Sequence, residues 1–459
     1  MRNPKISCQF YIKTQNELDK LTHQELLKYI KDLQDTLVQE KPPKNSTNSG
    51  IPTGKEINTP KRNQSTREKG GKNGGQFGHN GTTLKQTDTP DEIIDIKFNI
   101  DNCKKCGFDI SEVLVKLHEK RQVQDLDLQD TNKKITQYQS YSKECPNCGF
   151  SNHDNDYPQM VAPYISYGKN IMAIVVYLNV VHYLSYTRIV EALKTMYKIS
   201  ISEGTVDNLI KKASKLSSKE MKRIVSQISL CDIVGIDETG AKVNGQRDWH
   251  WVFQNDTCTF IVHNESRGTK VIREHFEDGF VNAIVVHDNY SSYNSLIAKG
   301  EQLCLAHKLR DLNYAIECDD TKLMKDMKLL FQEAMNDHKN DMNLNQRYIL
   351  KKQYEETFEY LLNRPTVPKS ETAKQIKSLS KAKNKIFTFL LHWGIPPDNN
   401  GSERAIRNLK VKLKVSQQFK SPQGAKDYST LRSIIDTARK RDMNEFETIR
   451  SIFSGRIVF

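Results

Sequence analysis

The sequence predicts a mixed α/β protein of several domains, with a small cysteine-containing domain ahead of a larger core of strands and helices. Three observations predict it. Two CxxC pairs lie between residues 91 and 155, short apolar runs separated by turn residues fill residues 230–304, and charged segments with helical periodicity fill residues 160–229 and 316–391. A chain of 459 residues accommodates about two to four domains of ordinary size.

The charge balance predicts a polyanionic partner, because the formal net charge is +13. A chain that is 27% charged and 37% hydrophobic is neither a membrane protein nor wholly disordered. The longest apolar run, residues 171–184, is interrupted by Asn179 and His182 and is shorter than the ~20 residues of a membrane span. Met1–Lys13 lacks the pattern of a signal peptide, so the nine cysteines are expected to be thiols or metal ligands in a cytoplasmic protein.

Residues 1–40 are expected to form a coiled-coil-like helix. Leu26, Ile30, Leu33 and Leu37 follow a 4-3-4 spacing, which gives one apolar face. This face packs either on a second helix, which would favour self-association, or on the rest of its own chain.

Residues 41–90 are expected to be a flexible basic linker. From Lys41 to Lys85 the chain has nine Lys or Arg residues against two Glu residues and few aliphatic side chains, so it cannot bury a core. Its glycines do not form a nucleotide-binding motif. We expect its positive charge to be attracted to phosphates without sequence preference.

Two segments, CKKCG and CPNCG, predict a structural zinc site in a zinc ribbon that spans residues 91–155. The turn in each CxxC lets two thiolates bind one Zn²⁺, and two such turns complete a closed tetrahedral site. The ligands would be Cys103, Cys106, Cys145 and Cys148. The stretch KKITQYQSYSKE between them has the pattern of a β-strand. A redox CxxC is the alternative, although redox motifs do not usually come in pairs.

Residues 156–229 are expected to form a helical domain that resembles a helix-turn-helix. The helical segments YTRIVEALKTMY and EGTVDNLIKKASKL flank a short turn, and Ser202 can cap the second helix. Lys211 and Lys212 on that helix would then contact DNA. An ordinary helical hairpin is the alternative.

Residues 230–315 are expected to form the first part of a catalytic core. Three strands, in CDIVGIDETGAKVNG, DWHWVFQND and CTFIVHNESRG, are followed by the helix TKVIREHFED, the strand VNAIVVHDNY, the short helix SSYNSLIAKG and the strand EQLCLAH. This is the order of a ribonuclease-H-like sheet. Asp237 and Asp288 each come where an apolar strand is expected to end, and their strands are neighbours in that fold. The two carboxylates are therefore predicted to share a metal ion.

Residues 392–459 are expected to complete the core with a helix that carries Glu403. Asn400 and Glu403 have nearly the spacing of a capping box, which would explain the carboxylate as a helix cap. A cap does not explain the basic residues that recur behind it at helical spacing. Those expected to bind DNA phosphates are Arg404, Arg407, Lys410 and Lys414. Residues 316–391, helical and charged, are expected to be an all-α insertion, either a DNA clamp or a solvated bundle.

Asp237, Asp288 and Glu403 together predict a site for phosphoryl transfer. Three carboxylates can hold two Mg²⁺ (or Mn²⁺) ions about 4 Å apart, which activate an attacking oxygen and stabilise the leaving one. Mg²⁺ prefers such hard oxygen ligands and keeps open positions for substrate phosphates. The predicted chemistry is thus metal-dependent cleavage or transfer of DNA strands.

The segments GIDET, HDNYSSYN, CLAHKLRD and DNNGSERAIRNLK resemble, in matching order, the motif blocks of DDE transposases of the insertion sequence 66 family. The family's zipper-like helix, basic segment, zinc-binding domain and central helical domain also have counterparts, so the resemblance covers nearly the whole chain. It implies that Asp237, Asp288 and Glu403 are the catalytic triad. The chain departs from the family pattern at Leu305, where an aromatic residue is usual, and at Asn408, where proline is common.

The predicted function is a transposase that binds the terminal inverted repeats of its element, frees a 3′-hydroxyl and joins it to target DNA. Its partners would be double-stranded DNA, further copies of the chain in a homodimer or higher oligomer, and accessory transposition proteins. His307, in the third motif block, is expected at a helix start near the active site, where it would contact phosphate. Two alternatives are a metal-dependent DNA nuclease on the same fold and a zinc-ribbon DNA-binding regulator without catalysis.

Overall fold

The computed structural model describes residues 18–30, 84–128, 132–154, 156–158 and 160–455. The chain divides into two compact units, one of Met1–Gln64 with Cys304–Asp398 and one of Ser65–Leu303 with Asn399–Phe459. The predicted mixed α/β architecture is confirmed. Leu33, Leu37 and nearly all of the predicted basic linker lie outside the described residues. No helix within the described ranges is long and apolar enough to cross a bilayer.

An N-terminal helix, α1, is described over residues 23–30 and begins with a reciprocal cap. The Thr22 hydroxyl oxygen accepts the Glu25 N–H at 3.4 Å, and a Glu25 carboxylate oxygen accepts the Thr22 N–H at 2.9 Å. This capping box satisfies two backbone donors that a helix start leaves free. Ile30, part of the predicted apolar face, is exposed.

The first sheet contains the predicted strand KKITQYQSYSKE, which is observed over the same residues. Its order is β1-β3-β2-β5, with β4 paired to β3, and β2 and β3 form a long antiparallel hairpin. The strands are β1 (Glu92–Asp95), β2 (Lys116–Leu126), β3 (Lys133–Glu144), β4 (Ser151–His153) and β5 (Ile165–Tyr167).

Four helices follow this sheet, and the cap predicted at Ser202 is confirmed. The Ser202 hydroxyl oxygen accepts the N–H of Thr205 at 3.1 Å. Lys198, in the left-handed conformation with φ of 53°, ends the preceding helix. The helices are α2 (Lys169–Val180), α3 (Tyr186–Tyr197), α4 (Glu203–Leu216) and α5 (Ser218–Ser229).

The second sheet has five strands in the order β10-β9-β6-β7-β8. β7 is antiparallel to both of its neighbours, whereas β9 is parallel to β6 and β10 is parallel to β9. A short helix, α6 (Lys270–His275), connects β8 to β9. The strands are β6 (Ile233–Val243), β7 (Gln246–Gln254), β8 (Thr259–Asn264), β9 (Phe280–His287) and β10 (Ala298–Leu303).

Two predicted elements near the end of this sheet are present with different bounds. The expected helix SSYNSLIAKG is a single 3-10 turn, Ser291–Ser295, and the chain enters β10 at Ala298. The expected strand EQLCLAH ends at Leu303, and its last residues start a helix at Leu305. Short apolar runs have no period that distinguishes strand from buried helix, which explains the error.

The unit containing Cys304–Asp398 is all-α over this range, and it is wider than the insertion predicted for residues 316–391. Its core includes Phe331, Phe358 and Phe387, whose ring centroids lie 5.4 to 5.9 Å apart. His307 is the third residue of the first helix, and its predicted contact with phosphate stays a prediction. The helices are α7 (Leu305–Asp319), α8 (Lys322–Asp337), α9 (Leu344–Leu362) and α10 (Glu371–Lys381), followed by 3-10 turns at Lys383–Lys385 and Thr388–Leu391.

Three C-terminal helices return to the second sheet: α11 (Asn400–Ser416), α12 (Pro422–Lys440) and α13 (Glu445–Phe453). α12 covers the edge strand β8, where hydroxyls of Ser433 and Thr437 accept the N–H groups of Ile261 (2.8 Å) and Thr259 (3.1 Å). These bonds satisfy backbone donors that an edge strand otherwise leaves open. One hydrophobic core runs from α2–α5 through the sheet to α12 and α13, so the predicted helical domain shares its core with the sheet.

Candidate functional site

The register between β6 and β9 places Asp237 and Asp288 at the same level of the sheet. The two strands pair in parallel as far as Gly235 opposite Val286. Asp237 follows Gly235 by two residues inside β6, and Asp288 follows Val286 by two residues, directly after β9 ends at His287. Side chains alternate between faces, so both aspartates are directed to the face that Gly235 occupies. Asp237 lies inside β6 and not at its end as predicted, because β6 continues along β7 to Val243.

The start of α11 is anchored on this same face by a buried asparagine. The side-chain Nδ2 of Asn399 donates to the backbone oxygen of Ile236 at 2.7 Å, and its Oδ1 accepts the Ser402 hydroxyl at 2.7 Å. Gly235 makes room for this approach, since a Cβ there would lie 2.8 Å from Asn399 Oδ1 and from Ser402 Oγ. The first turn of α11 is therefore fixed to β6 one residue before Asp237.

Glu403 lies in that first turn, but the capping box predicted between Asn400 and Glu403 is wrong. Asn399 is the N-cap and Asn400 is the first helical residue. The N–H of Glu403 is satisfied by the Asn399 carbonyl at 3.1 Å, and the N-cap side chain makes no cap hydrogen bond. The Asn399 side chain, which could have capped the helix, donates a hydrogen bond to the Ile236 carbonyl of β6 instead. A capping role therefore does not explain the Glu403 carboxylate.

The electrostatics of Asp237 connect the three carboxylates. Burial raises the pKa of Asp237 well above its ordinary value, and the charges of Asp288, Glu238 and Glu403 raise it further. The Glu238 N–H, 2.8 Å from Asp237 Oδ1, opposes this only in part. Asp288 Oδ1 accepts the N–H of Tyr290 at 2.9 Å, which holds the carboxylate in a turn. Acidic groups that suppress one another's ionisation favour a cation between them.

A buried network beside the aspartates was missed by sequence reasoning. Glu238 accepts two hydrogen bonds from Arg267, at 2.9 and 2.6 Å, and one from the Tyr293 hydroxyl at 2.5 Å. The Arg267 guanidinium lies 3.6 Å from the ring centroid of Tyr290, the residue whose N–H holds Asp288. The network thus joins β6 to the Asp288 turn. The sequence signal that could have revealed this network was Glu238, the second acid of GIDET. Strand alternation directs its side chain to the opposite face of β6 from Asp237.

The basic residues of α11 are available to an anionic ligand. Arg404, Arg407 and Lys414 are exposed, and no carboxylate within the described ranges forms an ion pair with them. Lys410 is half-buried, and its Nζ donates to the carbonyl of Gly240 at 3.3 Å. Unpaired exposed cations on one helix suit the binding of phosphates.

Of the two lysines predicted on α4, Lys211 is paired with Asp207, Nζ to Oδ2 at 2.5 Å, and Lys212 is exposed. Lys212 is nevertheless partly covered near its ammonium group, and this partial burial lowers its pKa. Lys211 also lines an open groove of about 780 Å³ with Lys215 and Lys426. Their contact with DNA stays a prediction.

Residues 165–427 match the family model described as Transposase IS66 family, which is more than half of the chain. The chain belongs to this family. Among curated proteins, none matches the chain significantly. The match includes both aspartates and the α11 helix, and it assigns the chain to the DNA-cleaving and DNA-joining enzymes of insertion sequences.

Ahead of the matched residues, the transposase brings four thiols together. The Sγ atoms of Cys103, Cys106, Cys145 and Cys148 all lie within 4.8 Å of one another. The closest approaches are 3.6 Å from Cys103 to Cys148 and 3.5 Å from Cys106 to Cys145. Four sulfurs at about 2.3 Å from a tetrahedral Zn²⁺ would be roughly 3.8 Å apart, so the group has the size of a zinc site.

The two CxxC turns of this transposase have the same backbone geometry. In each, the N–H of the first cysteine donates to the carbonyl five residues later, and the glycine after the second cysteine donates back to the first cysteine. Gly107 and Gly149 have φ values of 74° and 67°, where a side chain would be strained. The positive φ therefore explains why glycine follows the second cysteine in each CxxCG segment.

The four thiols cannot all ionise without a compensating cation. Burial raises the pKa of Cys103, but hydrogen bonds from the backbone of Cys106 and Lys105 outweigh it and lower the value to about 6. For Cys148 the Phe150 N–H lowers the pKa, whereas burial and the neighbouring thiols raise it to about 12. A bound Zn²⁺ would resolve this conflict, because metal binding deprotonates thiols outright.

Proposed function

We propose that this transposase binds the terminal inverted repeats of its insertion sequence and catalyses metal-dependent cleavage and transfer of DNA strands. Asp237, Asp288 and Glu403 are the proposed catalytic carboxylates. The observation that carries this proposal is their common face: the β6–β9 register aligns two of them, and the Asn399 anchor fixes the helix of the third. Family membership supplies the substrate class, and the exposed cations of α11 supply a surface for its phosphates.

We propose that the second sheet is a ribonuclease-H-like core interrupted by an all-α insertion. The strand order β10-β9-β6-β7-β8, in which only β7 runs against its neighbours, supports this assignment. The first sheet with its thiols is the proposed zinc ribbon, and α3 and α4 are the proposed DNA-binding helices.

The acidic group fits a divalent cation. Its donors are hard carboxylate oxygens, and the raised pKa of Asp237 reflects first its burial and then the negative charge of its neighbours, which a cation would offset. Mg²⁺ or Mn²⁺ held by Asp237, Asp288 and Glu403 would activate the attacking oxygen and stabilise the leaving oxygen. The chain's own contribution is positional: Arg267 and Glu238 hold the Asp288 turn, while Arg404 and the other exposed cations of α11 hold the DNA.

The proposed Zn²⁺ has a structural role. Four thiolates fill a tetrahedral site and leave no open position for substrate. The ribbon has few buried apolar side chains, with Cys103, Ile110 and Cys145 forming its small cluster, so the metal would replace a hydrophobic core.

Joining of a labelled transposon end to a plasmid tests the proposed function. Wild-type protein with Mg²⁺ should give joined product, whereas Asp237→Asn, Asp288→Asn and Glu403→Gln should bind the end without cutting it. Asp232→Asn is the matched control, because Asp232 is an exposed aspartate just before β6. Cleavage without joining would favour the nuclease alternative, and end binding without cleavage by the wild type would favour the regulator.

A further inference from the structure

The all-α unit contains an open cavity of about 700 Å³ at the start of α9. Asn343, Leu344, Arg347, His392 and Trp393 contribute to its lining. No acidic side chain of the described residues lines it. The volume falls within the usual range of small-ligand sites, about 300–1,000 Å³.

Arg347 gives this cavity a buried cation. Its side chain is more than nine-tenths buried, since only 5% of the residue is exposed. Nη2 donates to the Asn340 carbonyl at 3.2 Å, but Nη1 has no hydrogen-bond partner and no carboxylate pairs with the guanidinium in the described part of the chain. Arginine does not lose its proton in proteins, and a buried charge without a partner is costly. An anion that accepted from Nη1 would therefore stabilise Arg347.

The N-terminus of α9 adds to the positive potential around Arg347. The residue lies in the first turns of α9, whose N-terminus carries a partial positive charge. Burial lowers the pKa of the neighbouring His338, and the charges of Arg347 and His392 lower it further. An anion entering the cavity would meet no repulsive carboxylate in its lining.

Trp393 places an exposed aromatic ring at the same cavity. It is 73% exposed, and the ring of His392 lies beside it with centroids 5.9 Å apart and planes at 26°. Large aromatic side chains are mostly buried in folded proteins, so an indole left in solvent next to an unpaired cation suggests a ligand with both a flat apolar face and a negative charge.

We propose that the cavity formed by Arg347, His392 and Trp393 binds a single unpaired nucleotide of DNA, with the base stacked on Trp393 and a phosphate on Arg347. Base–aromatic stacking tolerates any sequence, and arginine forms paired hydrogen bonds with phosphate oxygens. This inference rests on the proposed function only in taking DNA as the substrate. In this proposal the all-α insertion binds a nucleotide that has left the duplex.

Binding of a dye-labelled single-stranded oligonucleotide of about ten nucleotides, measured by fluorescence anisotropy, tests the proposal. Trp393→Ala should weaken binding about tenfold, and Trp393→Phe should restore most of the loss because the ring remains. Tyr360→Ala is the matched control: Tyr360 is 61% exposed on α9, the helix of Arg347, and has its own arginine neighbour, Arg364. An oligonucleotide of the same length without bases should bind wild type and Trp393→Ala equally.

Arg347→Gln tests the phosphate contact separately. It should reduce the slope of log affinity against log salt by about one, because one phosphate contact is lost. Circular dichroism of this variant checks its fold, and if it does not fold the Trp393 series still decides.

Equal binding by Trp393→Ala and wild type, or an equal loss in Tyr360→Ala, would overturn the proposal. If Trp393→Ala instead dissociates oligomers in sedimentation and binds DNA normally, the surface belongs to a second copy of the chain. Strand joining is measured in parallel with wild-type protein. Failure to join counts against the proposed function, whereas the stacking experiment is decided by binding alone.

Discussion

Replacing Asn399 with alanine should loosen the helix that carries Glu403 without removing any of the proposed catalytic groups. The side chain is 2% exposed and makes two hydrogen bonds of 2.7 Å, to the Ile236 carbonyl and from the Ser402 hydroxyl. A buried polar group left without a partner costs about 1–3 kcal/mol. The Ser402 hydroxyl can turn to a carbonyl of its own helix, so we expect a total loss of about 2–4 kcal/mol in the free energy of unfolding.

Catalysis should suffer more than stability. A displacement of about 1 Å of a catalytic group costs on the order of 100-fold in rate, and Asn399 is the fixed point between α11 and the strand of Asp237. Asn399→Asp separates the two bonds, because it keeps an oxygen for Ser402 but has no amide to donate to Ile236. We therefore expect it to lose DNA cleavage nearly as fully as Asn399→Ala.

Urea denaturation and nicking of a labelled transposon end measure the two effects. Asn336→Ala is the control, since Asn336 is exposed, accepts from the Lys339 ammonium at 3.4 Å at the surface, and should cost no more than about 0.5 kcal/mol. An Asn399→Ala protein with unchanged stability and unchanged nicking would refute the anchor. Reduced stability with wild-type nicking would show that the anchor supports the fold alone.

Four other changes test separate parts of the structure. Glu403→Gln should melt close to wild type, since no cap is lost, yet it should abolish nicking. Adding Asp237→Asn should change little further, because residues acting as one unit are not additive. Near-normal joining by Glu403→Gln would contradict its metal-ligand role. Cys145→Ser should remove about one Zn²⁺ per chain, measured by mass spectrometry, and destabilise the ribbon; an intact ribbon in metal-free wild type would contradict this. Burial lowers the pKa of Lys412 to about 8 in the folded chain, against about 10.4 in the unfolded chain. Between these two pH values the unfolded protein binds more protons than the folded protein. The free energy of unfolding should therefore rise from about pH 8 to 10. Burial lowers the pKa of Lys440 to about 8 as well, so Lys412→Met should reduce that rise in urea melts without abolishing it. An unchanged rise would assign it to Lys440 and other groups. Tyr293→Phe should cost about 1–3 kcal/mol by removing the buried bond to Glu238, and a denaturation midpoint equal to that of wild type would contradict the network.

Several features follow from residues close together in the sequence and were predicted correctly. The Ser202 cap depends on an N–H three residues away, and β3 on its own alternating pattern. The two cysteine pairs are each positioned by a local turn, and the glycines that end those turns have the positive φ that glycine allows. The mixed α/β architecture and the family also followed from local motifs.

Other features depend on which segments pair. The strand of Asp237 was expected to end at that residue, but β6 extends to Val243 because β7 continues beside it. The position of the helix cap was also misplaced, because Asn399 and Asn400 are adjacent and chemically identical. Only the presence of the Ile236 carbonyl within reach decides that Asn399 turns to the strand and that Glu403 is not its capping partner.

The sequence by itself determined the acids, the cations, the cysteine pairs and the local elements that carry them, because caps, turns and strand periodicity are short-range effects. The tertiary structure decided which groups meet: Glu238 binds Arg267 and Tyr293, which lie 29 and 55 residues further along the chain. It also left Nη1 of Arg347 buried with no hydrogen-bond partner in the described part of the chain. Burial and hydrogen-bond partners are decided when segments pack together. The separation of two segments in the sequence does not tell how close they lie in the folded chain.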